Sequence, residues 1–202
     1  IINNMNRIDK VFLENILART KDGLFVLHGP ENPEEGDYIN SKLLGEIIEI
    51  FRKYFDYIVI DTAHSYNDNT ITALDHSNII LLVLVLELPG IVNCGKTLEV
   101  FQKLRYERDK IKIIVNRTNA KNQIGVEVVE KDLNYPIFLQ LPNDYGTVVR
   151  GINTGKSVFD ISKSSTIAAA MRLLADKLMK DINKEFHIDK KGFLGKLFQK
   201  KS

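Results

Sequence analysis

One cysteine, Cys94, stands among 202 residues, so no internal disulfide framework exists, and such sparing use of thiols fits a reducing cytoplasm. No run of eighteen apolar residues occurs, which excludes a spanning helix of the ordinary kind. The longest apolar run, Ile79 to Leu86, has the length of a strand. The opening residues Ile1-Ile2-Asn3-Asn4-Met5 have neither a basic start nor a long apolar stretch, so a secretory signal is not expected there. His28, His64, His76 and His187 are scattered without metal-ligand spacing, and no Ser-His-Asp arrangement is visible. Neither an internal repeat nor a low-complexity linker appears before about Glu185. Acidic residues are missing from 190–202, which carry Lys190, Lys191, Lys196, Lys200 and Lys201. The net charge of +2 therefore hides an asymmetry: residues 1–189 hold 23 basic and 26 acidic residues, a net −3. A basic surface for nucleic acid belongs on the folded body, so a nucleic-acid partner is not expected.

What is present is organised around Tyr57-Ile58-Val59-Ile60-Asp61-Thr62-Ala63. Four mostly β-branched apolar residues run into one carboxylate and a small loop, the pattern of a strand buried on both faces of a parallel sheet. Around it the chain alternates. Helices are expected over Arg7–Leu17, Ser41–Tyr54, Asn67–Ser77, Gly90–Leu104, Val126–Leu133 and Thr166–Ile182. Strands are expected over Gly23–Pro30, Tyr57–Asp61, Ile79–Leu86, Ile111–Val115 and Pro136–Leu141. Asn32–Glu35 reads as a turn, and Asn143–Ser164 as loop-rich with a helical piece near Thr147–Ile152. About five strands alternating with helices predict an α/β fold, a doubly wound, mostly parallel sheet flanked by helices. Residues 1–184 form the domain in this reading, and 185–202 a linker and a basic amphipathic helix.

Polar residues just past the carboxyl ends of such strands are where parallel sheets do chemistry. Asp61 is placed there to hold Mg2+ through water, or only to cap the next turn. Asn116 and Arg117 end the strand Ile113-Ile114-Val115. An amide offers donor and acceptor to a purine edge, and a guanidinium can stack on the base; a turn-forming Asn is the plain alternative. Pro142 and Asp144 follow another strand, on the same expected edge. Gly90-Ile91-Val92-Asn93-Cys94-Gly95-Lys96-Thr97 satisfies the G-x4-G-K-T pattern of a phosphate loop. Ile91, Cys94, Leu98, Phe101 and Leu104 nonetheless keep helical spacing through it, so a helix is expected instead. Gly151 to Ser157, one residue short of that pattern, reads as a glycine turn.

In the tail, Phe193, Leu194, Leu197 and Phe198 fall within roughly 140° of a helical wheel, flanked by Lys191 and Lys196. Such a segment suits the interface of an anionic membrane, apolar side down; a solvated basic end is the alternative.

Arg7-Ile8-Asp9, Phe55–Asp61, Ile80–Val83, Val115–Arg117, Leu141–Tyr145 and Val149–Lys156 together resemble the MinD/ParA family of deviant P-loop ATPases, above all its CpaE/TadZ pilus-assembly branch. The ending Lys191–Phe198 is similar to the membrane-targeting helix of MinD proteins. The resemblance implies that Asp61 lies at the second magnesium-side motif, near the switch region, and that Asn116, Arg117 and the residues near Pro142 and Asp144 contact adenine. It also implies a phosphate loop and an acidic strand ahead of residue 1, neither of which is in this chain. The 202-residue chain is therefore expected not to hydrolyse ATP by itself. The implied protein is an ATP- and Mg2+-dependent switch that dimerises and sits peripherally on the inner face of the cell membrane. There it positions or assembles a pilus, secretion or division machine. The alternatives are a catalytically inactive scaffold of the same fold that binds protein partners, and a ParA-like DNA-partitioning protein.

Overall fold

The computed structural model describes residues 10–29, 39–119 and 124–198, with side chains as far as 182. Arg7-Ile8-Asp9 and the expected turn Asn32–Glu35 lie outside the described residues. The chain divides into two compact units, residues 1–78 and 79–202.

The first unit holds helix α1 (Lys10–Ile16), a hairpin of β1 (Ala18–Arg19) and β2 (Phe25–Val26), and helices α2 (Ser41–Phe51) and α3 (Asp68–His76). Both longer helices start as their sequences dictate. The Asn40 side chain accepts from the Leu43 N–H, and that of Asn67 from the Thr70 N–H, each at 2.9 Å. The expected strand at 23–30 shrinks to two residues, because it pairs only with Ala18–Arg19 across a turn in which Gly23 takes φ +86°. Leu13, Leu17, Ile47, Ile48, Ala73 and Leu74 are the buried apolar side chains of this unit.

Tyr57–Asp61 is not a strand, and this corrects the central expectation from sequence. Among the described residues the segment belongs to no ladder; Val59 is 94% exposed and Asp61 is exposed, with Ile58 and Ile60 half-buried between them. Apolar β-branched residues favour an extended backbone, but a strand exists only where a neighbour takes up its N–H and C=O groups. No described strand of this unit runs beside it.

The second unit is built on three parallel strands in the order β3 (Ile80–Val85), β4 (Ile111–Thr118), β5 (Ile137–Pro142), rather than the about five expected for the whole chain. Helices α4 (Leu88–Lys103) and α5 (Val126–Leu133) make the crossovers, and α8 (Thr166–Phe198) packs on β5. This is the parallel α/β sheet flanked by helices that the alternation predicts. On β4, Ile113, Ile114 and Val115 are at most 1% exposed, so both faces are covered, as a central parallel strand requires. Ile114, Leu139 and Leu141 form one cluster with Ile167 of α8. Lys112, on the Ile114 face, pairs with Asp181 of α8 at 3.3 Å. Its ammonium also lies 5.4 Å from the centre of the Phe138 ring, which Lys177 of α8 approaches to 4.9 Å.

Between β5 and α8 the chain forms two short helices, α6 (Tyr145–Thr154) and α7 (Val158–Ile161). The helical piece expected near 147–152 is thus longer than its pattern suggested. The glycine turn is the end of α6: Gly155 takes φ +60°, and the Lys156 N–H returns to the Gly151 carbonyl at 2.9 Å. Ser157 and Asp160 then close a capping box on α7. Helix α8 runs unbroken to Phe198. No described helix is long and apolar enough to cross a membrane.

Candidate functional site

The residues with the most chemistry sit where β4 and β5 end. The pairing shifts once between Ile113, opposite Ile137, and Ile114, opposite Leu139; Val115 then faces Gln140, and the next pair is Thr118 opposite Pro142. Three steps along β4 therefore answer two along β5, so β4 bulges at Asn116 and Arg117. Arg117 takes φ 56°, a left-handed conformation unusual for a non-glycine residue, and its N–H donates to the Asn116 Oδ1 at 2.9 Å. The bulge takes these two residues out of the pairing with β5 at the carboxyl edge of the sheet, while Asn116 still pairs with Val85 of β3. Two bonds hold the strand ends together there. The Thr118 hydroxyl donates to the Leu141 carbonyl at 3.2 Å, and the Asn143 N–H to the Thr118 carbonyl at 2.9 Å.

Asp144 follows directly and caps α6, its Oδ1 accepting from the Thr147 N–H at 3.3 Å. Its Oδ2 faces the Thr166 hydroxyl at 3.5 Å, and the Ile167 N–H also donates to the carboxylate. Hydrogen bonds, first that of the Thr147 side chain, hold the Asp144 carboxyl below the usual carboxylate range, against a smaller upward push from desolvation. Asp144 is therefore first of all the cap of α6, with a second contact to the first turn of α8, whose own flanking cap is Ser165, accepting from the Ala168 N–H at 3.3 Å. Pro142 ends β5 without a backbone N–H, which a strand at the edge of the described sheet tolerates.

The structure thus brings Asn116, Arg117, Pro142 and Asp144 to one edge. Asp61 belongs to the other unit, where it is exposed and lies in a segment that is part of no described strand. The donors and acceptors of Asn116, with the carbonyls and N–H groups of the bulge, fit the hydrogen-bonding edge of a base. For Mg2+ the fit is thinner. Asp61 is one carboxylate, and the described residues hold no group of three metal-ligating side chains.

Gly90–Thr97 lies inside α4, as its helical spacing predicts. Ile91 and Cys94 are buried, and burial pushes the Cys94 thiol up to about 11. Such a segment turns its N–H groups along the helix and cannot wrap a phosphate. In the tail, Lys191, Phe193, Leu194, Lys196, Leu197 and Phe198 belong to α8 by backbone, but their side chains lie outside those described. Thr118 and Thr166 were not singled out from sequence, whereas Asn143 stood inside the Leu141–Asp144 stretch that was. Of the two, only Thr166 carried a signal, as a hydroxyl residue at the start of a helical pattern.

No protein-family model matches the sequence, and no curated protein does. Solved structures do. A ParA family ATPase from Chlorobium tepidum TLS superposes with a TM-score of 0.78 at 23% identity, covering 83% of this chain and 70% of that one. The septum site-determining protein MinD of Pyrococcus horikoshii OT3, complexed with Mg-ADP, gives 0.71 at 20% identity, covering 87% and 71%. The MinC:MinD cell division protein complex of Aquifex aeolicus contributes a chain that gives 0.71 at 18% identity, covering 89% and 72%. The chain has the α/β fold of the ParA and MinD ATPases.

Proposed function

We propose that this chain is a nucleotide-dependent switch of the MinD/ParA kind, with ATP and Mg2+ as its ligands. The supporting observation is the β4 bulge, which gathers Asn116 and Arg117 beside Pro142 and Asp144 at the carboxyl edge of the sheet. Asn116 would read the base, Arg117 would lie against it, and the Pro142–Asp144 turn would close the other side. Asp61 would hold Mg2+ through water and serve as the catalytic carboxylate. The switch would act as a homodimer, peripherally on the inner face of the cell membrane. Helix α8 would lay Phe193, Leu194, Leu197 and Phe198 in the interface, with Lys191 and Lys196 on anionic lipid. Two tails per dimer would hold where one is weak. The machine served would be a pilus, secretion or division apparatus, with the CpaE/TadZ resemblance favouring the pilus. The net −3 of residues 1–189 argues against DNA.

A second reading is a scaffold of the same fold that binds protein partners without nucleotide. It is favoured by the exposed, unpaired Tyr57–Asp61 and by the enclosure of Gly90–Thr97 in a helix. Calorimetry with ATP and Mg2+ separates the two. The switch gives a binding heat that Asn116→Ala weakens about tenfold, the cost of one or two hydrogen bonds. Absence of heat from the wild type leaves the scaffold.

A further inference from the structure

We infer that Asp144 and Thr166 couple the sheet edge to α8, so that a ligand held at the edge is felt at the start of the helix that carries the basic tail. This rests on the nucleotide reading of that edge. The bonds form a continuous line. Arg117 donates to Asn116; Thr118, one residue on, accepts from Asn143; Asp144 follows and reaches Thr147 with one oxygen and Thr166 with the other. One carboxylate thus serves two helix starts. Beyond Thr166 the chain is anchored at once: Ile167 is 3% exposed and packs on Ile114, Leu139 and Leu141, and Ala168 is fully buried. Asn143 and Thr166 are exposed and Asp144 is half-buried, so a shift at 116–118 or 142–144 reaches the first turn of α8 through these hydrogen bonds and through the close packing of Ile167 on Ile114, Leu139 and Leu141.

The two bonds to Asp144 are unequal. The Thr166 contact, at 3.5 Å, is at the limit of a hydrogen bond, whereas the Thr147 N–H sits at 3.3 Å with its hydroxyl adding a second bond. The Thr166 bond is the one with room to tighten. A ligand that binds better when the 142–144 turn is drawn in shifts that bond towards its short form, and by reciprocity a fixed α8 improves binding at the edge.

Hydrogen exchange on the 202-residue chain, with and without ATP and Mg2+, tests this on the wild type, Thr166→Val and Thr166→Ser. Valine keeps the shape and removes the hydroxyl; serine keeps the hydroxyl. ATP is expected to slow exchange over residues 166–173 about fivefold, the lower end of measured couplings. Thr166→Ser keeps that gain, and Thr166→Val loses it and, by the same reciprocity, weakens the calorimetric Kd by no more than about fivefold. Calorimetric binding without slower exchange in the wild type, or a full gain in Thr166→Val, overturns the coupling and leaves the nucleotide reading standing. Absence of binding heat overturns both.

Discussion

A Cβ placed on Gly90 would stand 2.6 Å from the Val85 carbonyl oxygen. The glycine is thus required by the close return of α4 onto the end of β3, which explains its presence without any phosphate. Gly90→Ala should destabilise the protein by about 1–3 kcal/mol, the cost of overpacking against backbone, in urea titrations without ligand. A neutral outcome would show that α4 can move away from β3.

Lys96 should matter to none of this. Lys96→Ala is expected to change stability by less than about 0.5 kcal/mol, as a substitution away from core and cap does. The 202-residue chain is expected to show no ATP turnover. Turnover that Lys96→Ala abolishes would overturn the reading of Gly90–Thr97 as an ordinary helical segment.

Cys94 is 3% exposed, and its thiol is raised from 9.0 to about 11. The thiolate fraction at pH 8 is then about a hundredfold below that of an unperturbed thiol, since two pKa units are two decades. Labelling by iodoacetamide should be slower by at least that factor and should accelerate in urea. Fast labelling of the native protein would place Cys94 outside the core.

Asp144 predicts a sign for acid stability. Its carboxyl is held below the ordinary value of 3.8 by hydrogen bonds made in the folded state. The charged form therefore adds stability above about pH 4, and this is lost as pH falls through the lowered folded value. The stability gap between wild type and Asp144→Ala should be constant from about pH 6 to 8 and shrink below about pH 4. A gap that widens in acid contradicts the cap.

For the tail, flotation with vesicles containing anionic lipid should recover the wild type and lose most of a Phe193→Ala/Phe198→Ala variant. Equal recovery of the two refutes the membrane role.

Much of the second unit was legible in the sequence because its signals are local. Ile80–Val85, Ile111–Val115 and Ile137–Leu141 are short apolar runs bounded by turn residues, and they became strands almost where expected. The helical spacing through Gly90–Thr97 correctly outweighed the motif written over it. The two-residue hairpin strands were too short to leave a period. The bonds that tie Thr118 to Leu141 and Asn143, and Asp144 to Thr166, connect residues 22 to 25 apart in the chain, so no short window contains them.

By itself the sequence determined which segments are helical, which are extended, and that Asn116, Arg117 and Asp144 follow buried strands, since propensity and period act between neighbours in the chain. Tertiary structure alone decided that Tyr57–Asp61 joins no described sheet while Ile111–Thr118 becomes the covered centre of one. Both segments are apolar and β-branched. Strand pairing and burial depend on what lies alongside, and only Ile111–Thr118 has strands at both edges.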